Sequence, residues 1–219
     1  MAMTLIMYLH PLSSYVQKAK TGFYEKGVSF ETRLLDGTDP VASEFEELWP
    51  IKRFPVVQNG RELIFEATTI IEYLDALYPD TPPLIPANPI QAVEVRMWDR
   101  FFDNYVNYPQ QRLVYLSIGR EPDDGEDGAK WKTAFDSAYE LLDRRMAKRE
   151  WVAGDFSLAD CAAAPSLLYA DWTYSIPVKY QNLWAYRDRL LARPSYARAL
   201  DEARPYRHLF PLGAPEDRD

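Results

Sequence analysis

One cysteine, Cys161, and two histidines, His10 and His208, are all that 219 residues contain of the usual soft metal ligands. A lone cysteine cannot close an intrachain disulfide or build a cysteine metal cluster, and it fits a reducing, cytoplasmic compartment. Two histidines argue against a histidine-ligated metal centre, so no metal is expected. The chain also lacks a charged leader followed by a long apolar run. Thr4 to Leu9 is too short for a signal segment, and no stretch approaches the roughly 18 apolar residues of a membrane span, so no membrane partner is expected. No dense basic stripe is present. Asp and Glu number 33 against 25 Lys and Arg, for a formal charge of −8, and such a surface repels nucleic acid.

What remains is the composition of a folded globular protein, 47% apolar and 14% aromatic. Thr4 to Leu9 reads as a buried strand, stopped by His10-Pro11-Leu12-Ser13-Ser14. A helix follows from about Ser14, with Tyr15, Ala19 and Phe23 at helical spacing and Gly27 as its stop. Val28 to Leu35 reads as a second strand, and 36–49 as a polar loop with a helical turn. Phe54–Val57 and Glu62–Phe65 are short strands joined by Gln58-Asn59-Gly60-Arg61, where Asn-Gly signals a hairpin. A helix from about Glu66 to Leu77 closes a small α/β unit over residues 1–79. Between Tyr78 and Pro89 stand five prolines, which neither continue a helix nor join a sheet centre, so 80–89 is a linker. Residues 90–219 read as all-helical. A helix from Ile90 to about Ile118 carries Val93, Met97, Phe101 and Tyr105 at spacings of four. An acidic, glycine-containing loop spans 120–128, and later helices start near Trp131, Leu158, Asn182 and Ser195.

Three short stretches carry chemistry, each beside a plainer reading. Ser13-Ser14 sits at a strand-to-helix junction, where unpaired amides and the helix dipole favour an anion and a hydroxyl can donate to a thiolate. Capping alone would also explain a serine there. The Phe54-Pro55 bond precedes a strand. If it is cis, the Phe54 backbone turns outward to pair with an extended peptide ligand, whereas an edge-strand proline needs no ligand. Glu66-Ala67-Thr68 opens the next helix, where a carboxylate either complements the dipole or accepts from a ligand ammonium group.

Taken in order, these stretches resemble the glutathione transferase superfamily over nearly the whole chain. Leu5 to Tyr15 is similar to the first strand and active-site turn of its serine classes. Pro50-Ile51-Lys52-Arg53-Phe54-Pro55-Val56-Val57 resembles its Asn-Pro-x-Gly-Lys-Val-Pro-x-Leu segment, and Glu66 to Leu74 its Glu-Ser-x-Ala-Ile-x-x-Tyr-Leu segment. Ser157-Leu158-Ala159-Asp160 resembles its buried capping box, with Phe156 and Cys161 at the staple positions. The stretch from Trp98 to Val106 and the tail Ala203 to Arg207 are similar to a bacterial branch.

The resemblance implies an α/β thioredoxin-like N-terminal domain, an all-α helical C-terminal domain and a two-fold homodimer. It further implies glutathione as co-substrate. Ser13 would stabilise the thiolate, with Ser14 and Tyr8 as alternatives. Phe54, beside Pro55, would hold the cysteinyl backbone, Glu66 and Ala67 the γ-glutamyl end, and Arg53 the glycyl carboxylate. A small hydrophobic electrophile would lie against Tyr105, Tyr108, Arg112 and Trp172. The implied reaction is conjugation, with peroxide reduction, isomerisation, dehalogenation or a non-catalytic interaction module as alternatives. The absence of cysteine at 13 and 14 argues against the thiol reductases. Tyr15, where an isomerase class has cysteine, argues against maleylacetoacetate isomerase. Two departures stand out. Ala67 replaces the family's serine, with Thr68 beside it as a partial substitute, and Lys52 replaces a glycine.

Overall fold

The computed structural model describes residues 4–120 and 126–219. Strand β1 (Ile6–Leu9) sends alternate side chains to opposite faces, as strand geometry requires. Met7 and Leu9 pack with Val16, Phe23, Ile70 and Leu74, while Tyr8 packs with Phe45 and Val56. Helix α1 (Ser14–Glu25) crosses to β2 (Glu31–Leu34), which lies parallel to β1. Gly27, at φ 64°, closes α1 in the left-handed conformation that glycine adopts without a Cβ clash. Helix α2 (Val41–Leu48) covers one face of the sheet through Phe45. Strands β3 (Val56–Asn59) and β4 (Glu62–Phe65) complete a sheet of order β2-β1-β3-β4, and α3 (Ala67–Leu77) shares the second face with α1. Within the hairpin, Asn59 pairs with Glu62 as part of the ladder. The loop is therefore only Gly60-Arg61, with Gly60 at φ 61°, the pattern of a type II′ turn.

The proline-rich stretch is tied down rather than loose. The Asp75 carboxylate accepts from the backbone N–H groups of Leu84 and Ile85 and from Lys26 Nζ, while Leu158 N donates to the Leu84 carbonyl at 2.9 Å. Asn88 then caps α4 (Pro89–Phe101), accepting from Ile90 N and Gln91 N at 3.0 and 3.2 Å.

The single helix expected over 90–118 is interrupted. After α4 come a π-helical segment, Phe102–Asn107, and α5 (Tyr108–Ser117). Pro109 supplies the reason, since it has no N–H and its ring would collide with the carbonyl four residues back. A wider turn relieves that clash and rotates the following residues around the axis. The stripe of Val93, Met97 and Tyr105 faces outward, 62%, 56% and 60% exposed, and the buried face is Ala92, Val95, Trp98, Phe102 and Val106. The acidic loop also ends sooner than expected, because α6 (Glu126–Met146) begins inside it; positions 121–125 lie outside the described residues.

Helix α7 (Leu158–Thr173) runs through the core of the helical half, against α1, α4 and the π segment. Its alanines 159, 162, 163 and 164 are buried, and small side chains let neighbouring helices approach. Asp160 reaches back to accept from Ser157 N and Val152 N at 3.0 and 3.2 Å and from the Tyr186 hydroxyl at 2.6 Å. Cys161 is buried beside it, and burial pushes its thiol well above the ordinary range, so it packs rather than reacts. Helices α8 (Gln181–Ala192) and α9 (Pro194–Ala203) and a 3₁₀ turn, Arg204–Leu209, follow. Among the described residues no helix is long and apolar enough to cross a membrane, and no group of His, Cys, Asp and Glu is arranged to hold a metal ion.

Candidate functional site

Two adjoining clefts open between the sheet unit and the helices. One, about 450 Å³, is lined by Leu12, Ser13 and Ser14 and, opposite, by Gln110, Gln111, Val114, Tyr115, Tyr169 and Phe210. The other, about 330 Å³, is lined by Pro55, Glu66 and Ala67 and, opposite, by Arg100, Asp103 and Asn104. Tyr15, Arg53 and Phe54 line both, so the two form one groove that runs from the first helix start to the next.

Ser13 is the N-cap of α1, in extended conformation, with its hydroxyl oxygen accepting from Val16 N at 3.4 Å. Capping uses a lone pair, which leaves the hydroxyl proton available to donate into the groove. The capping reading of Ser13 is therefore what the structure shows, and it leaves the hydroxyl proton unused. The turn before it is anchored from behind. Ser13 N donates to the His10 carbonyl at 3.0 Å, Leu12 N donates to His10 Nδ1 at 3.3 Å, and buried Gln17 Nε2 donates to the Pro11 carbonyl at 3.1 Å. The same Gln17 amide donates to the Tyr169 hydroxyl at 2.7 Å, which couples the turn to the opposite wall. Tyr8, by contrast, points away. Its ring is buried on the α2 side, its hydroxyl donates to Glu44, and burial first, then Glu44, push its pKa up to about 12. A phenol so placed has no part in the groove. Tyr15 does line the groove, and burial together with the Asp103 carboxylate raises its phenol above the usual range.

The Phe54-Pro55 peptide is cis, immediately before β3. Two residues earlier, Lys52 adopts φ 56°, the left-handed region that a glycine at this position would occupy without strain. The lysine keeps the backbone path and turns its ammonium to Glu46 at 2.6 Å.

Glu66 has φ 68° and ψ 121°, and its side chain makes no capping bond at the start of α3. A non-glycine residue held at positive φ is a local cost of order 1 kcal/mol, tolerated where function repays it. Ala67 begins the helix, and Thr68 does not stand in for the missing serine. Its hydroxyl accepts from Lys18 Nζ at 2.9 Å and from Arg100, and donates to Asp99 at 2.9 Å. That hydroxyl belongs to a cluster in which buried Lys18 pairs with Asp99 at 2.6 Å and Asp103 at 2.8 Å, and Arg100 bridges the same two carboxylates. Arg100 and Asp103 border the groove beside Glu66 and Ala67, so this end presents one cation and two carboxylates.

Tyr105, Tyr108, Arg112 and Trp172 do not line either cleft. Tyr105 lies on the exposed stripe of the π segment, and Tyr108 packs edge-on against Trp131 with Arg112 over its ring at 5.8 Å. Trp172 is buried against Tyr169 and Phe210, and its indole donates to the Arg218 carbonyl at 2.7 Å. Tyr105 continues the outward stripe that Val93 and Met97 already form in α4, and Tyr108 turns to Trp131. Gln110, Gln111, Val114 and Tyr115 take the wall instead. Tyr169 and Phe210 left no local signal, because distant packing brings them to the cleft.

Models of two known domains match the chain: "Glutathione S-transferase, N-terminal domain" over residues 7–82 and "Glutathione S-transferase, C-terminal domain" over 120–189. Glutathione S-transferase U25 of Arabidopsis thaliana is 25% identical over 87% of this chain and 86% of its own. A probable maleylacetoacetate isomerase of Vibrio cholerae is 26% identical over 93% of this chain and 98% of its own. In fold, a glutathione S-transferase from Rhodospirillum rubrum superposes with a TM-score of 0.79, at 23% identity, covering 97% of each chain. The two matched domains together take in most of the chain, Ser13, Phe54-Pro55 and Glu66 all fall inside the first, and the chain belongs to the glutathione S-transferase superfamily.

Proposed function

We propose that the chain is a glutathione transferase that holds the glutathione sulfur at Ser13 and directs it at a small electrophile. The observation that carries this reading is the Ser13 hydroxyl, capped through its oxygen and free to donate its proton into the groove. A serine does not deprotonate a thiol. It stabilises the thiolate, and one charge-assisted hydrogen bond beside a helix N-terminus lowers a thiol pKa near ~8.5 by roughly one to several units. The thiolate then forms a bond to the electrophilic carbon, and the leaving group departs with its electron pair.

In this reading glutathione lies along the whole groove. The Phe54 backbone pairs with the cysteinyl residue, and Arg53 takes the glycyl carboxylate. At the γ-glutamyl end, Glu66 and Asp103 accept from the ammonium group. The Ala67 N–H and the Arg100 guanidinium receive the carboxylate, which offsets the absent serine hydroxyl. A zwitterion so matched loses little by exchanging one neutral donor for a charged one.

Ser13→Ala should lower turnover at pH 7 by about 10- to 100-fold, the effect of one lost charge-assisted bond of about 1.5–3 kcal/mol. Glutathione affinity should change much less. Thiolate absorbance against pH, read beside steady-state kinetics, checks it. An unchanged thiolate pKa and rate would move the role to Ser14.

A homodimer completes the proposal. Val93 and Met97 on α4, and Ile51 and Phe65 at the rim of the second cleft, are exposed apolar side chains of the kind a two-fold partner would cover. The buried free thiol accords with a reducing, cytoplasmic setting.

A further inference from the structure

The walls of the cleft beside Ser13 carry charge of one sign. Among the described residues this cleft is lined by Lys52, Arg53 and Arg120 and by no aspartate or glutamate. Lys52 is engaged with Glu46. Arg53 reaches both clefts, and the glycyl carboxylate accounts for it. Arg120 stands on the opposite wall, beyond the end of α5, its guanidinium carbon 5.8 Å from the centre of the Tyr115 ring. A guanidinium on an aromatic face keeps its in-plane N–H donors for a carboxylate. Glutathione leaves no carboxylate for this wall, since its γ-glutamyl end lies in the other cleft.

We infer that the second substrate is an organic anion, a conjugated or aromatic electrophile bearing a carboxylate, with its carboxylate on Arg120 and its apolar body against Tyr115, Val114 and Phe210. The inference rests on the proposed glutathione site and adds the substrate class. It also replaces the purely hydrophobic electrophile that the family resemblance implies. In a displacement reaction the glutathione sulfur bonds to the ring carbon, the carbon–chlorine bond breaks, chloride leaves with the electron pair, and the thiol proton passes to solvent.

A matched pair of chloronitroarenes tests it: 4-chloro-3-nitrobenzoate and the corresponding benzamide, equal in size and differing in charge. Calorimetry with glutathione and with the S-conjugate of each compound reads binding whether or not turnover occurs. The carboxylate conjugate should bind at least tenfold more tightly than the amide conjugate, and kcat/KM, divided by each uncatalysed rate, should favour the benzoate by a similar factor. Arg120→Gln should bring both ratios close to one, with Arg120→Lys retaining part of the preference. Equal binding of the two conjugates by the unmodified protein overturns the inference while leaving the glutathione site intact. A preference that survives Arg120→Gln also overturns it. Failure to bind glutathione at all removes the underlying reading as well. Tight carboxylate-conjugate binding without turnover supports the anion site and removes only the transferase step.

Discussion

At the scale of single residues, the turn that carries Ser13 depends on a histidine remaining neutral. His10 Nδ1 accepts from Leu12 N, which requires that nitrogen to be unprotonated, and burial lowers the His10 pKa below its ordinary 6.5, with Asp36 opposing weakly. A histidine whose folded pKa is depressed resists a proton that the unfolded chain accepts. Its contribution to stability is therefore complete above about pH 6.5 and is lost as pH falls through the lowered folded value. His10→Asn keeps an acceptor for Leu12 N but cannot titrate in this range. Its melting temperature should accordingly fall less steeply between pH 7 and 5 than that of the unmodified protein, and parallel curves would exclude His10 as the sensor. Lys52 illustrates a different residue-scale compromise. A glycine conformation is kept without a glycine, and the side chain spends its charge on the rim at Glu46 rather than in the groove.

At the scale of elements, α1 is the shared wall between the two halves, and its fit to α3 is tight. A Cβ added at Gly22 would meet Ile71 Cγ1 at 2.7 Å, and Ile71 is fully buried. Overpacking of this kind costs about 1–3 kcal/mol, which outweighs the helix propensity alanine would add. Gly22→Ala should therefore lower the urea midpoint with an unchanged m-value, and an unaltered midpoint would mean that Ile71 can yield. Much at this scale was readable beforehand. Strand–helix–strand order, the proline-rich crossing and the Ser157-to-Asp160 cap are local in cause, so local sequence reveals them. What escaped was which face of α4 and α5 points inward. A spacing of four marks a helix face without saying where it points, and the stripe that holds Tyr105 points outward, so Gln111, Val114 and Tyr115 line the cleft where Tyr105, Tyr108 and Arg112 were expected. Thr68 escaped for another reason: its partners lie on two distant helices, Lys18 on α1 and Asp99 and Arg100 on α4, and only the folded chain brings them together.

On the scale of the whole molecule, the outward stripe of α4 is the surface most in need of a neighbour. Met97→Arg, set in the middle of that stripe, should break the proposed homodimer into monomers in sedimentation velocity without unfolding the chain, since Met97 is 56% exposed. A monomeric unmodified protein at micromolar concentration would exclude that face as an interface. The two halves of each chain, in contrast, are joined from within. Lys18 on α1 is 1% exposed and pairs with Asp99 and Asp103 across the boundary, while Lys20 pairs with Glu202 at 2.6 Å and Glu25 with Arg193 at 2.6 Å. Prising the halves apart would part the Lys18 ammonium from both of its carboxylates and break the Lys20–Glu202 and Glu25–Arg193 pairs with it. The groove between the halves is thus framed by walls that ion pairs tie to each other at three places, so its width is a product of folding.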